Sequence, residues 1–255
     1  MSDGIDVSRD GAVMAAAFAR PEKKNAITSA MYEALIETLD QVERDAGICA
    51  LVVSGKGGVF TAGNDIRDFL ITATAAADSR DMRGSPGWRF VSKLAIFEKP
   101  LIAAVEGAAV GIGTTLCFHC DLVYAAPSAR FQMPFVNLGL VPEAGSSLLA
   151  PLRFGRARAA EFLLLAEPFD AARALALGLV NEVVPAADLM SHAMAKAQIL
   201  TAKPRSALLA ARRLMRGDPA ALKAKMTEEI EAFGAALASG EARAAFQAFL
   251  SGAKA

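Results

Sequence analysis

Two short segments, Ile48–Val53 and Leu101–Val105, are apolar at every position. A strand with one wet face alternates apolar and polar residues, so unbroken runs of this length must be covered on both faces. That requirement fits an α/β arrangement in which strands and helices alternate. The flanking sequence supplies the parts. Val13–Phe18 reads as a first strand, and Leu122–Ala125, Ala129–Gln132 and Val180–Val184 as later ones. After Thr28 or Ser29 as a cap, Met31, Leu35, Leu39 and Val42 recur at three- and four-residue steps, the pattern of a helix with one buried face. Residues 68 to 90 read as a helix and a mobile loop near the site. Beyond Asp188 the pattern is helical throughout, with Pro204 at a helix start and Asp218-Pro219 as cap and first-turn proline. The chain therefore divides into an α/β part, residues 1–195, and a helical region, residues 196–255. The apolar residues of that tail exceed what a lone helical segment can bury, so it is expected to pack on the core or on a neighbouring subunit.

Composition narrows the partners. The 255 residues carry 27 Lys and Arg against 27 Asp and Glu, and that balance argues against a general nucleic-acid surface, which needs a basic excess. Hydrophobic residues make up 54% of the chain, yet no apolar run reaches the ~18 residues of a membrane span. The polar, acidic start Met1–Asp6 lacks the features of a signal peptide, and Ala253-Lys254-Ala255 is not a Ser-Lys-Leu-type peroxisomal signal. Three cysteines suit a reducing compartment, and the expectation is cytoplasmic. Cys117 and Cys120 stand in Cys-x-x-Cys spacing around His119, but there is no second ligand pair, so they read as buried helix thiols.

The Leu101–Val105 run opens into Glu106-Gly107-Ala108-Ala109-Val110-Gly111-Ile112-Gly113-Thr114-Thr115-Leu116. A glycine-broken turn leading into a helix leaves backbone N–H groups free at the helix start, where negative charge is favoured. Neither common phosphate loop fits. Gly113 is followed by Thr114 and Thr115 rather than by Lys-Ser/Thr, and Leu116 stands where a dinucleotide fingerprint has its third glycine. Taken by themselves, the glycines also suit close strand–helix packing.

Four segments in order then resemble one family. Arg20-Pro21-Glu22-Lys23-Lys24-Asn25-Ala26, Phe60-Thr61-Ala62-Gly63-Asn64-Asp65-Ile66, Glu106–Gly113 and Leu138-Gly139-Leu140-Val141-Pro142 are similar to the corresponding segments of the enoyl-CoA hydratase/isomerase (crotonase) family. The resemblance covers nearly the whole chain. It implies an α/β fold, a superhelix of ββα repeats carrying the acyl-CoA site, with a helical C-terminal trimerisation region. The assembly it implies is a homotrimer or a dimer of trimers. The partner it implies is an acyl-CoA thioester, with coenzyme A part of the substrate and no metal or redox cofactor; nucleic acid and membrane are not expected partners.

By the same resemblance, the backbone amides of Asn64 and Ile112 would hold the thioester oxygen, so the anion at the loop would be an enolate. The family's hydratases carry two glutamates at the positions of Thr115 and Phe135. Hydration needs one group to activate water and another to donate a proton, and neither is present at those positions. A third position, Glu143, matches the base of the peroxisomal-type Δ3,Δ2-enoyl-CoA isomerases, and a double-bond shift needs only one base. Two effects oppose each other there: a helix N-terminus lowers a carboxyl pKa, and the apolar neighbours Leu138, Leu140, Val141, Leu148 and Leu149 raise it.

The resemblance further implies a substrate surface of Arg20, Lys23, Lys24, Ala26, Ala62, Gly63, Asp65, Ile66, Gly111, Phe135 and Asn137. The cations would meet phosphates, and the backbone at Ala62, Asp65 and Ile66 would meet adenine. Arg20, Lys23 and Lys24 equally read as a solvated charge run, and Asn137 and Ser146 as turn and cap residues. Glu106 is expected as a hydrogen-bonding partner at its strand end, and Asp121 as a structural acid. The family's tail often has a Phe followed by Lys or Arg that reaches coenzyme A across subunits, whereas Phe249 here is followed by Leu250 and then by Ser251, Gly252, Ala253 and Lys254.

Overall fold

The computed structural model describes residues 4–71 and 82–251. A six-stranded sheet runs in the order β1 (Ile5–Asp10), β2 (Val13–Phe18), β3 (Ala50–Gly55), β4 (Leu101–Val105), β6 (Leu122–Ala125), β9 (Glu182–Val183). Only the β1–β2 pair is antiparallel; the other four pairings are parallel. The side chains of β3 explain its unbroken apolarity. Ala50 and Val52 face a cluster completed by Leu189, Ala193 and Ala197 of α8 (Ala186–Thr201), while Leu51 and Val53 face the larger core under α1 (Ser29–Arg44).

Three strands escaped the sequence reading. β1 precedes the expected first strand, and its residues after Ile5 are mostly exposed, so an edge strand with Asp6, Arg9 and Asp10 shows no apolar run. β5 (Ala108–Val110) lies between the glycines of the opening loop. It forms a second sheet with β7 (Arg130–Gln132) and β8 (Phe169–Asp170). β5 and β8 have three and two residues; segments so short show no periodicity, and only pairing with distant chain makes them strands.

Helix α1 starts where its cap predicts. Thr28 Oγ1 accepts from the Met31 amide at 3.3 Å, and Met31, Leu35, Leu39 and Val42 are all buried, joined by Tyr32 and Ile36 on a broader face. The Lys99 ammonium closes the far end by donating to the carbonyls of Val42, Asp45 and Ile48. α2 is described over residues 66–71, and Asp65 Oδ1 accepts from the Arg67 amide at 3.2 Å in its first turn. The loop expected within residues 68 to 90 lies in part outside the described residues, but the chain from Pro86 to Ile96 is helix α3, capped by Ser85. α4 (Ile112–His119) is buried along its whole length, and α5 (Ser146–Phe154), α6 (Arg156–Leu164) and α7 (Ala171–Ala176) follow. The tail forms α9 (Arg205–Arg216), α10 (Pro219–Leu237) and α11 (Gly240–Ser251). Arg212 of α9 is buried and ion-paired with Asp121 at 2.7 Å, and Asp121 also accepts from the Leu101 amide, which is the structural role expected of it. Glu106, in contrast, makes no hydrogen bond among the described residues; Asn25, not Glu106, bridges the loops there, donating to the carbonyls of Lys56 and Val59.

Candidate active site

The site forms where two distant turns are sewn together. The Thr61 amide donates to Ala108 and the Val110 amide returns a bond to Thr61, joining the 61–65 turn to β5. On the other side the Ile27 amide donates to Gly63 and the Asp65 amide to Ile27. Gly63 sits at φ +88°, and a Cβ there would stand 2.8 Å from the Val110 carbonyl oxygen, so only glycine lets the turns approach this closely. Between these bonds the Asn64 amide donates to no acceptor among the described residues. The Ile112 amide, at the first position of α4, is also unpaired among them, because the Gly111 amide takes Gln132 and the next helical bonds start from Thr114. Both residues line one cleft of about 1570 Å³, counting the space open to solvent.

The 61–65 turn and the α4 N-terminus form one wall of this cleft, and Phe135, Leu138 and Leu140 another; Phe246 and Phe249 of α11 close it. A second space of about 690 Å³, again counting what is open to solvent, lies beyond, lined by Tyr32, Trp88, Val91 and Ile230 among others. Asn64, Phe69, Glu143 and Phe233 line both spaces, so they stand at the junction.

Glu143 keeps some accessible surface because it faces both cavities, yet protein encloses its carboxyl. That desolvation pushes its pKa from the ordinary 4.5 to about 8; the Thr115 hydroxyl, donating to Oε1 at 2.6 Å, pulls it down, and the negative Glu229 nearby pushes it up. Burial thus outweighs the helix N-terminus, and the chain geometry says why: α5 begins at Ser146, so Glu143 lies before the helix rather than in its first turn. Tyr32, buried on α1, donates its hydroxyl to Asn64 Oδ1 at 2.5 Å, and burial raises its pKa well above the phenol range.

Of the expected substrate surface, Lys23, Ala26, Ala62, Gly63, Asp65, Ile66, Gly111 and Phe135 line the cleft. Arg20, Lys24 and Asn137 do not. The Arg20 guanidinium is spent on the Ala26 carbonyl at 2.8 Å and on Asp65 at 3.4 Å. Lys24 ends a short turn with φ +51°, and Asn137 lies exposed on another. The amides of Ala62 and Asp65 already donate to Lys24 and Ile27 carbonyls. Arg67, which the sequence reading passed over, lines the cleft beside Lys23. Ser146 is buried with an unpartnered hydroxyl and caps nothing. Cys117 and Cys120 are buried free thiols, and burial pushes Cys117 up to about 12. Among the described residues no cluster of His, Cys, Asp and Glu could hold a metal ion, and no helix is long and apolar enough to cross a membrane.

Tyr32, Phe233 and Glu229 carried no signal in the sequence. Each is one residue of a helix whose local pattern does not single it out, and only the fold brings them to Glu143.

The family model described as enoyl-CoA hydratase/isomerase matches residues 8–255. The chain belongs to this family. Its members act on acyl-CoA thioesters, and the solved structure of Pseudomonas aeruginosa OdaA superposes with a TM-score of 0.92 at 41% identity, covering 98% of this chain and 99% of that one. Among curated relatives of this enoyl-CoA hydratase/isomerase family member, the Rattus norvegicus enoyl-CoA delta isomerase 2 is 37% identical over 216 residues, 84% of this chain. The match spans only 55% of the rat protein's own length. The 2,3-dehydroadipyl-CoA hydratase of Escherichia coli K12 is 31% identical over 245 residues, 96% of this chain and 94% of that protein. Relatives named for isomerisation and for hydration therefore both align with the chain, and the choice between reactions rests on the site's own residues.

Proposed function

We propose that the protein shifts the double bond of a 3-enoyl-CoA to the trans-2 position. The observation that carries this reading is Glu143, a carboxyl enclosed at the junction of the two cavities with a pKa raised to about 8. In the proposed cycle its carboxylate removes a proton from C2, the electron pair spreads onto the thioester oxygen on one side and through the C3–C4 double bond onto C4 on the other, and the carboxylic acid returns the same proton at C4, leaving the double bond between C2 and C3. No atom is gained or lost. The amides of Asn64 and Ile112 receive the oxygen as charge builds on it. Two preorganised N–H donors in a site shielded from water contribute roughly 3 kcal/mol each to such a transition state. A base with a pKa near the working pH both accepts and releases the proton readily. The cycle uses side chains and backbone amides alone, with coenzyme A entering as part of the substrate. Lys23 and Arg67 at the cleft are suited to its phosphates. Exposed Leu152, Leu164, Leu165, Leu214 and Met215 suit contact between copies of the chain, whose assembly we propose to be a homotrimer or a dimer of trimers.

Hydration is the second reading, favoured by one observation: Glu229 lines the second cavity together with Glu143, so a second acidic residue borders that space. The test is isomerisation of 3-hexenoyl-CoA and hydration of crotonyl-CoA by the wild type and by Glu143→Gln. The expected result is fast isomerisation, slow hydration, and loss of isomerisation by about a hundredfold or more in the variant. Full isomerase activity in Glu143→Gln removes the base from this reading, and hydration as fast as isomerisation favours the second. Tight acyl-CoA binding with no turnover of either substrate would make the chain a binding protein.

A further inference from the structure

The loop that carries Glu143 is held from outside its own region of the chain. Ala144 has φ +55° and Gly145 φ +75°, so two consecutive residues are left-handed just before α5. This arrangement turns the amides of Gly145 and Ser147 toward α10, where the Glu229 carboxylate receives them at 2.6 and 2.9 Å. The Ser147 hydroxyl donates a third bond, at 2.5 Å. Glu229 is buried, and Leu222 of α10 packs against Gly145 where a Cβ would stand. From the other side His119 on α4 holds the loop, its Nε2 standing 2.7 Å from the Ala144 carbonyl oxygen; that carbonyl requires the hydrogen on Nε2. Burial lowers the His119 pKa to about 4, so the ring is neutral at working pH.

We propose that Glu229 is the positioning residue of this site: it fixes the loop bearing Glu143 from the C-terminal helix and sets a second negative charge beside that carboxyl. The proposal rests on Glu143 being the base. Around Glu143 the charged and titratable groups are few. Tyr32 faces it from α1, Glu229 from α10, and Thr115 on α4 offers only a hydroxyl. Glu229 has a cation of its own near by in Lys225, which is half-buried and paired with Glu228 on the same helix. Three donors converge on Glu229 and favour its carboxylate form, while burial, the larger effect, raises its pKa above the ordinary carboxylate value. As like charges, the two carboxylates oppose each other's ionisation, which raises the Glu143 pKa and makes its carboxylate, once formed, a stronger base.

The helical region after residue 196 thereby acquires a role inside the site in addition to the assembly expected of it.

The experiment follows the carboxyl 13C resonances of Glu143 and Glu229 through a pH titration of the protein without substrate, with Glu143→Gln used for assignment. In the wild type the Glu229 resonance is expected to show an inflection at the midpoint of Glu143. In Glu229→Gln the midpoint of Glu143 is expected to move down toward the ordinary carboxylate range, and the acid limb of the kcat/KM profile with it. Ser147→Ala removes one donor but keeps the charge and both backbone bonds, so its Glu143 midpoint should stay at the wild-type value. An unmoved midpoint in Glu229→Gln, or equal movement in both variants, overturns the proposal. Should Glu229→Gln fail to fold, the wild-type titration decides, and absence of the inflection at Glu229 overturns it. These resonances do not depend on turnover. A coupled titration in a protein that does not isomerise 3-enoyl-CoA would therefore refute the proposed reaction and leave the coupling standing.

Discussion

Replacing Thr115 with valine removes one hydroxyl from a buried helix and leaves its shape. Thr115 has no exposed surface, and its Oγ1 donates at 2.6 Å to Glu143 Oε1. Valine fills the same volume without the donor, so α4 should keep its packing. A hydrogen bond to an ionised group contributes roughly 1.5–3 kcal/mol, and one pKa unit corresponds to about 1.4 kcal/mol. Loss of the bond should therefore raise the Glu143 pKa above its present value of about 8, by on the order of one unit. At pH 7 about one-tenth of the wild-type enzyme holds the carboxylate, and in Thr115→Val roughly one-hundredth. The expected outcome is a roughly tenfold fall in kcat/KM at pH 7, with the acid limb displaced upward by about one unit and the two profiles converging at high pH. A pH series of 3-hexenoyl-CoA isomerisation measures it. An acid limb that stays in place, with a pH 7 rate within about twofold of wild type, would refute the claim that this hydroxyl tunes a carboxylate base. The variant also distinguishes Thr115 from a mere replacement of the hydratase glutamate, because a residue with no part in the site would leave the profile untouched.

Two further outcomes follow from buried charge. The Glu143 carboxyl has a pKa of about 8 in the folded protein against 4.5 ordinarily, so between those values the unfolded chain has released a proton that the folded protein keeps. Wild-type stability should fall as pH rises through this window and level off above it, whereas Glu143→Gln should not show this loss; urea unfolding at pH 5 and pH 8.5 should give the variant an advantage of up to several kcal/mol at the higher pH only. Equal slopes with pH would contradict the burial argument. Arg212→Met strands Asp121, whose Oδ2 accepts from Arg212 and from the Leu101 amide, and frees the Phe97 carbonyl that Arg212 Nη1 also binds. Breaking such a buried pair should cost about 3–5 kcal/mol by urea denaturation, and a loss below about 1 kcal/mol would mean that Arg216, which also binds Phe97, takes over its place.

Much of this architecture was legible in the chain. Ile48–Val53 and Leu101–Val105 announced strands covered on both faces, and β3 and β4 are so covered. Thr28 as cap, Pro204 at the start of α9 and Asp218-Pro219 at the start of α10 stand where local rules place them, because a capping hydrogen bond and a proline's fixed φ are both settled within three residues. β1, β5 and β8 were not legible. Their stability comes from pairing partners far along the chain, and an edge strand with charged residues leaves no apolar signature. The charge run Arg20, Lys23, Lys24 shows the same limit at single-residue scale: position in the motif could not tell Lys23, at the cleft, from Arg20, which binds Ala26 and Asp65.

The sequence by itself determined the family, the turns that carry Asn64 and Ile112, and the presence of a lone glutamate after Val141-Pro142, since each of these is a local pattern. It left open whether the helix terminus or the apolar surround would govern Glu143. Only the tertiary structure decided that, because desolvation is a property of everything packed around a group. Thr115 reaches Glu143 from 28 residues away and Ser147 meets Glu229 across 82, and no periodicity or motif encodes a contact over such distances. The fold closes those distances, and with them it converts an ordinary carboxyl into one that ionises near neutral pH.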